Sequence, residues 1–267
     1  MSEEIPTVTA EPVLLIERDA RGVVTLTLNR PRAFNALSEE LLDALQGAVD
    51  ALQHDSAARV VVIRGAGRAF CAGHDLKEMR SEPSLERASA LFERCSRVML
   101  GLAALPQPVI ARVHGIATAG GCQLVAQCDL AVAASDARLA ASGINVGLFC
   151  CTPSVPLARN MPRKVALEML LTGDFIDAAT AQQWGLVNRV AAPEDLDAAV
   201  EELVQSIIAK PAAAIALGKA MFYKQIDMGL AGAYQLATQA MACNFMLDDA
   251  LEGVQAFLEK RPPSWRG

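Results

Sequence analysis

Two stretches of the 267-residue chain place small residues beside groups that could do chemistry. The first is Arg68–Met79, Arg-Ala-Phe-Cys-Ala-Gly-His-Asp-Leu-Lys-Glu-Met. The second is Val113–Leu124, Val-His-Gly-Ile-Ala-Thr-Ala-Gly-Gly-Cys-Gln-Leu. Each follows a β-rich apolar run and turns into a helix. Small residues leave backbone N–H groups unobstructed, and a helix N-terminus adds a favourable dipole. Two such sites facing one another would form a two-donor pocket for a developing oxyanion. Gly120 and Gly121 would let backbone approach a ligand closely, or would serve only tight helix packing. His74 has the identity and ordinary pKa range for proton transfer, or it matters only through its N–H.

The elements that must hold these stretches can be read in order. Val13–Glu17 and Val23–Asn29 read as strands around a turn at Asp19–Gly22. Pro31 ends the second strand, and Ser38 caps a helix whose apolar stripe is Leu41, Leu42, Leu45, Val49 and Leu52. Arg59–Arg64, Val109–Val113 and Asp129–Ala134 are further strands, and 84–103 is an amphipathic helix stopped by Pro106 and Pro108. Leu148–Ser154 reads as a loop of small residues. Lys164–Leu171 is a helix, Asp177 caps another that ends at Gly185, and Leu186–Val190 is a last strand. From Pro193 onward the chain is helical, over about 195–209, 212–226, 231–245 and 248–259. The alternation gives an α/β class. The late helices carry too few charges to be solvated all round, so they are expected to pack on another subunit. Residues 1–11 form a loose lead-in.

Bulk composition narrows the function. Hydrophobic residues make up 52% and charged residues 20%, enough for a substantial core. A net charge of −6 argues against nucleic acid as a partner. The seven cysteines (71, 95, 122, 128, 150, 151 and 243) show no CxxC spacing and read as buried, reduced thiols. Three histidines (54, 74, 114), none paired at ligand spacing, leave no expected metal site. The N-terminus lacks a signal pattern and no apolar run is long enough to span a bilayer, so a soluble cytoplasmic protein without membrane contact is expected.

Several segments in order carry a family resemblance: Asn29-Arg-Pro-Arg-Ala-Phe-Asn-Ala-Leu-Ser38, Phe70–Met79, Gly115–Leu124, Ala166–Asp174, Trp184-Gly-Leu-Val-Asn-Arg189 and Phe257-Leu-Glu-Lys-Arg261. Together they resemble the enoyl-CoA hydratase/isomerase (crotonase) superfamily over residues 13–261. The stretch Gly143–Cys150 is most similar to its enoyl-CoA hydratase domain-containing branch. The resemblance implies a crotonase-like spiral of ββα units over 1–195, with a C-terminal helical oligomerisation region over 196–267. It implies homotrimers or dimers of trimers. It implies an acyl-CoA substrate with no separate cofactor, since coenzyme A is part of the substrate.

By motif position the oxyanion-hole donors would be the amides of His74 and Gly120. The substrate-binding set would be Arg32, Ala72, His74, Asp75, Leu76, Lys77 and Gly120, with Lys260 or Arg261 suited to a CoA phosphate. Asp75 is expected to order its loop and Glu78 to sit on a solvated face. The family's two acid/base glutamates fall where this chain has Gln123 and Gly143. Gln cannot exchange a proton at neutral pH, and Gly offers no group at all. Such groups are each worth about 10²–10⁴-fold, so efficient water addition is in question while enolate stabilisation is not. Two alternatives stay open: decarboxylation or thioester hydrolysis through the same hole, and CoA-thioester binding with little catalysis. Cys122 and Cys151 are expected to pack in the core, and His114 to be structural.

Overall fold

The computed structural model describes residues 11–265, so most of the lead-in lies outside the described residues. The alternating run after Gly22 forms a hairpin: β1 (Leu14–Arg18) lies antiparallel to β2 (Val23–Leu28), with Leu14 opposite Leu28. The turn needs Gly22 at φ 82°, because a Cβ there would stand 2.3 Å from the Ala57 carbonyl oxygen. Ser38 then starts α1 (Glu39–Gln53), its Oγ accepting from the Leu41 N–H at 3.2 Å. The stripe Leu41, Leu42, Leu45, Val49 and Leu52 is buried. Each such side chain contributes roughly 1.5–3 kcal/mol on leaving water.

The chain continues through β3 (Val60–Gly65), α2 (Leu76–Ser81), α3 (Leu85–Ala104), β4 (Val109–Val113), β5 (Ile116–Thr118), α4 (Gly120–Gln127), β6 (Leu130–Ala134) and β7 (Arg138–Ala140). It then runs through α5 (Cys151–Asn160), α6 (Arg163–Thr172), β8 (Ile176–Asp177), α7 (Ala178–Gln183) and β9 (Arg189–Ala191). The last helices are α8 (Leu196–Ile208), α9 (Ala212–Gln225), α10 (Leu230–Phe245) and α11 (Asp248–Leu258). A six-stranded sheet has the order β1-β2-β3-β4-β6-β9, and every pair after the first is parallel. Strands buried on both faces should be continuously apolar, and Val60-Val-Val-Ile63 is. A second sheet has the order β5-β7-β8.

Several expectations are corrected here. Leu148–Ser154 is not one loop: α5 starts at Cys151 with Pro153 in its first turn, and Pro156 lies inside it. The last strand begins at Arg189, not Leu186. The Ala131 N–H bonds the Asn188 Oδ1 and the Asn188 N–H bonds the Ala131 oxygen, both at 2.8 Å, so pairing starts there while Leu186 and Val187 are buried in the turn. Five cysteines are buried, but Cys151 and Cys243 are exposed, so Cys151 is not a core residue.

The expected division at 195/196 falls just before α8. That helix packs on the large sheet through Leu196, Val200 and Val204, whereas α9 and α10 bury no residue within the chain. What pins α9 is a polar cluster. The Lys219 ammonium reaches the Asp129 carboxylate at 2.6 Å and the carbonyls of Leu102 and Gln107 at 3.0 Å each. The Asp129 carboxylate also accepts from the Val109 N–H at 2.7 Å and the Tyr223 hydroxyl at 2.8 Å. Among the described residues no single helix is long and apolar enough to cross a membrane.

Candidate active site

The two organising stretches meet. The segment 71–74 runs extended between two neighbours. On one side Cys71 pairs in parallel with Ala117 of β5, through Cys71 N–H to Ile116 O at 3.1 Å and Thr118 N–H to Cys71 O at 3.0 Å. On the other, His74 pairs with Leu37, whose N–H donates to the Gly73 carbonyl at 2.8 Å and whose carbonyl accepts from the Asp75 N–H at 3.1 Å.

Gly73 makes the switch between those neighbours at φ 91°. A side chain there would strike the second stretch, 2.9 Å from Ala119 Cβ and 3.1 Å from the Gly120 nitrogen. In a planar trans peptide the C=O and the following N–H point opposite ways. The Gly73 carbonyl faces Leu37, so the His74 N–H faces away from it, and it has no backbone acceptor among the described residues.

The second amide is aimed by a comparable device. Ala119 precedes α4 at φ 50° and ψ −117°, a region costly for a residue with a Cβ. Its carbonyl accepts from Gln123 N–H at 2.9 Å, starting the helix, so the Gly120 N–H points out of the helix N-terminus. A Cβ on Gly120 would lie 3.2 Å from Leu37 Cδ1 and 3.4 Å from His74 Cδ2, so both amides border one corner. Gly121 acts differently, since a Cβ there would stand 2.1 Å from the Cys71 oxygen and its absence permits helix–strand contact.

Polar groups around the corner divide into paired and unpaired. Asp75 caps α2 by accepting from the N–H groups of Lys77 and Glu78, and it pairs with Arg30 at 2.9 Å. Its carboxyl is held below the usual range although burial opposes this, because the Arg30 guanidinium and those two amides stabilise the anion. Glu78 is half-buried, not on a solvated face. Its Oε2 accepts from the Glu39 N–H at 3.0 Å and so caps α1. His114 is structural, bonded to the Gly67 carbonyl at 2.8 Å.

By contrast, both ring nitrogens of His74 and Oε1 of Gln123 are buried without partners. The His74 ring stands edge-on to Phe92, centroids 5.4 Å apart. Burial pushes its pKa down to about 4, against a smaller opposing pull from the Leu37 backbone. Gln123 is only 3% exposed. At Gly143 there is no room for a side chain: a Cβ would lie 2.5 Å from Leu148 O and 2.8 Å from Cys150 Sγ. The backbone path at Gly143 thus leaves this position without a side chain.

Of the other expected contact residues, Ala72 adjoins the corner, its N–H bonded to Phe34 O at 3.0 Å. Leu76 and Lys77, a few residues further along, are exposed, as is Arg32, and Lys260 is exposed at the end of α11 with φ 56°. Arg261 pairs with Glu252 at 2.6 Å, which engages it within its own helix end. A cavity of about 470 Å³ opens between α1, α2 and α3, lined by Glu39, Glu78, Met79, Leu85, Arg87 and Leu91 among others, and neither His74 nor Gly120 lines it. Among the described residues no cluster of three or more His, Cys, Asp or Glu could hold a metal ion.

Four residues were not singled out from sequence. Arg30 and Asn35 build the loop beneath the site. Asn35, fully buried at φ 55°, donates to the carbonyls of Ala66 and Ala69 at 2.8 and 2.7 Å and accepts from the Arg30 N–H at 2.9 Å. An Asn just after a Pro-initiated turn is a recognisable signal for positive φ. Phe92 and Ala119 give no such signal.

A protein-family model described as Enoyl-CoA hydratase/isomerase matches residues 18–267. The mouse (Mus musculus) enoyl-CoA hydratase domain-containing protein 3, mitochondrial, is 43% identical over 256 residues, covering 96% of this chain and 85% of that protein. A crystal structure of an enoyl-CoA hydratase from Mycobacterium smegmatis superposes with a TM-score of 0.95 at 62% identity, covering 96% of this chain and 100% of that one. Human enoyl-coenzyme A hydratase domain-containing protein 3 superposes with a TM-score of 0.91 at 42% identity, covering 95% and 100%. The mouse protein's name places it in mitochondria, which does not fit the cytoplasmic location expected from the sequence.

Proposed function

This chain belongs to the enoyl-CoA hydratase/isomerase family of acyl-CoA-processing enzymes, and on that premise we propose that it stabilises a thioester enolate between the amides of His74 and Gly120. The observation that carries the reading is the pair of backbone N–H groups at one corner, each turned away from its own strand or helix by a strained or glycine-bearing residue. An enolate carries its charge on oxygen, and preorganised donors act there without reorganisation. Ala72, Leu76 and Lys77 would line the thioester path, with Arg32 and Lys260 toward the CoA phosphates, while Asp75 fixes the loop. No cofactor beyond the CoA of the substrate is invoked.

One feature favours a reaction that needs no strong base. Gln123 is uncharged, Gly143 has no space for a carboxylate, and the His74 ring is neutral near pH 7. Water addition is therefore slow in this reading. A thioester that generates its own enolate, as a 2-carboxyacyl-CoA does on losing CO₂, is the better substrate class. Trimer formation is proposed on the apolar exposure of α9 and α10, where Phe222, Leu230, Tyr234 and Met241 stand exposed.

The test uses acetoacetyl-CoA, whose enolate has an ultraviolet band that the keto form lacks. The wild-type protein should raise that band on binding. Gly120→Pro deletes one donor at a position where helices accept proline, and it should abolish the band in a protein that still folds by circular dichroism. An undiminished band in that variant would remove Gly120 from the hole.

A further inference from the structure

Helix α11 ends on a strained cation. The Arg261 N–H returns to the Ala256 carbonyl at 3.0 Å and the Lys260 N–H to the Phe257 carbonyl at 3.2 Å, the paired bonds of a helix stop that needs a left-handed residue. Glycine takes that place without strain, yet here Lys260 holds φ 56°. A cation near a helix C-terminus is favourable, but Arg261 already supplies one, paired with Glu252 and Glu259. Lys260 is exposed and makes no ion pair or side-chain hydrogen bond among the described residues. The strained position therefore carries an unengaged charge, and an outlier of that kind points to function.

After this turn the chain doubles back and is fastened twice. The Ser264 N–H donates to the Glu252 carboxylate at 2.8 Å. The Trp265 indole lies against Gly253 of α11, where a Cβ would stand 3.2 Å from Cη2 and Cζ3 of the ring. A residue that weakens a helix is thus kept where the ring must approach. On its far side the Trp265 Nε1–H donates to the Ala209 carbonyl at 2.8 Å. Ala209 lies between α8 and α9, where the chain bends by 103°. The carbonyls on either side, Ile208 and Lys210, accept from the Arg59 guanidinium at 3.2 and 2.7 Å, and Arg59 immediately precedes β3. Successive carbonyls of the bend are held by the large sheet and by Trp265 in alternation.

We infer that Trp265 is a positioning residue for CoA recognition. Its indole closes residues 259–265 into a clasp between α11 and the bend, and so fixes the backbone of Lys260 against the core. The ammonium then meets the CoA phosphates from a set origin, and less freedom is lost when it binds them. This rests on the acyl-CoA reading above, in which Lys260 faces those phosphates. Trp265 touches no ligand and acts through Lys260.

Calorimetric titration with acetoacetyl-CoA and with acetoacetyl-pantetheine tests the clasp, since the second thioester keeps the reacting end and lacks the phosphates. The wild-type protein should prefer the CoA thioester. A lysine–phosphate contact is a charge-assisted hydrogen bond, so Lys260→Ala should lower that preference about tenfold. Trp265→Ala should lower it in the same sense, leaving the pantetheine thioester bound as before. Trp265→Phe keeps a ring on Gly253 and loses only the N–H, so it should fall between Trp265→Ala and wild type. The double variant should be no worse than Lys260→Ala. Lys260→Gly, which relieves the strain, should raise the urea midpoint while losing the preference. A preference unchanged in both Trp265 variants, or equal weakening of both thioesters, overturns the clasp. A preference that survives Lys260→Ala overturns it too and leaves the enolate hole standing, whereas binding of neither thioester overturns the acyl-CoA reading itself.

Discussion

Two polar clusters lie at similar depth in this chain and are built in opposite ways. Under α9, Lys219 directs its three donors to Asp129, Leu102 O and Gln107 O, and the Asp129 carboxylate takes Val109 N–H and the Tyr223 hydroxyl besides. At the corner of β5 and α4, the His74 ring and the Gln123 oxygen have no partner. A buried polar group with every valence met fixes an element in place, whereas one left open stores a demand for something brought from outside. Burial alone does not tell a structural polar group from a functional one; an open hydrogen-bonding position marks a candidate, and Gln46, Gln107 and Asn244 each leave one buried oxygen open as well.

The largest expected difference comes from breaking the complete cluster. Asp129→Ala strands the Lys219 ammonium, and loss of one partner of a buried pair costs about 3–5 kcal/mol. Urea unfolding should show that loss with acyl-CoA chemistry affected only through the folded fraction. At the corner Gly120→Pro should cost about 10²–10³ in enolate-dependent turnover per folded molecule, beyond whatever stability the tight contacts to Leu37 and His74 cost it.

Acid should sharpen the contrast next. Burial holds the His74 pKa at about 4 against 6.5 for the free side chain. Above pH 6.5 the ring is neutral folded and unfolded, so it contributes nothing to the slope. Between pH 6.5 and 4 the unfolded chain binds the proton first, so stability falls as pH falls, by on the order of 3 kcal/mol in total. Burial also lowers His114, which adds in the same direction, so the readout is the difference between wild type and His74→Phe. A wild-type slope retained in that variant would assign the effect elsewhere. The smallest effect is a gain: Gln123→Met removes an unsatisfied buried oxygen and should stabilise by about 1 kcal/mol, opposite in sign to Asp129→Ala.

The sequence carried the fold where a pattern was long. Ser38 with the leucine stripe marked α1, and Val109–Val113 was read to the residue. It failed where an element is short or breaks a local rule. The strands of the second sheet are two or three residues long, too brief for a period. Pro153 and Pro156 disguised α5, because proline is expected to stop a helix and here sits within one. The candidate site was legible as motif: His74, Gly120 and Gln123 stand out by type and spacing. What orients their amides was not. An alanine at φ 50° gives no sign of that conformation, and the crowding at Gly143 depends on Leu148 and Cys150 folding back over it.

The parallel sheet has a consequence in time. No hairpin can set its inner registers, since Val24 meets Val61, Val61 meets Val109, and Val132 meets Arg189 across whole intervening units. Each pairing must close a long loop before any ladder bond can form, which makes such topologies slow to fold. During that delay the valine-rich strands stand unpaired, and a nascent chain is at its most prone to stick to its neighbours. The same segments that later form the most protected part of the molecule are therefore its greatest hazard in its first moments.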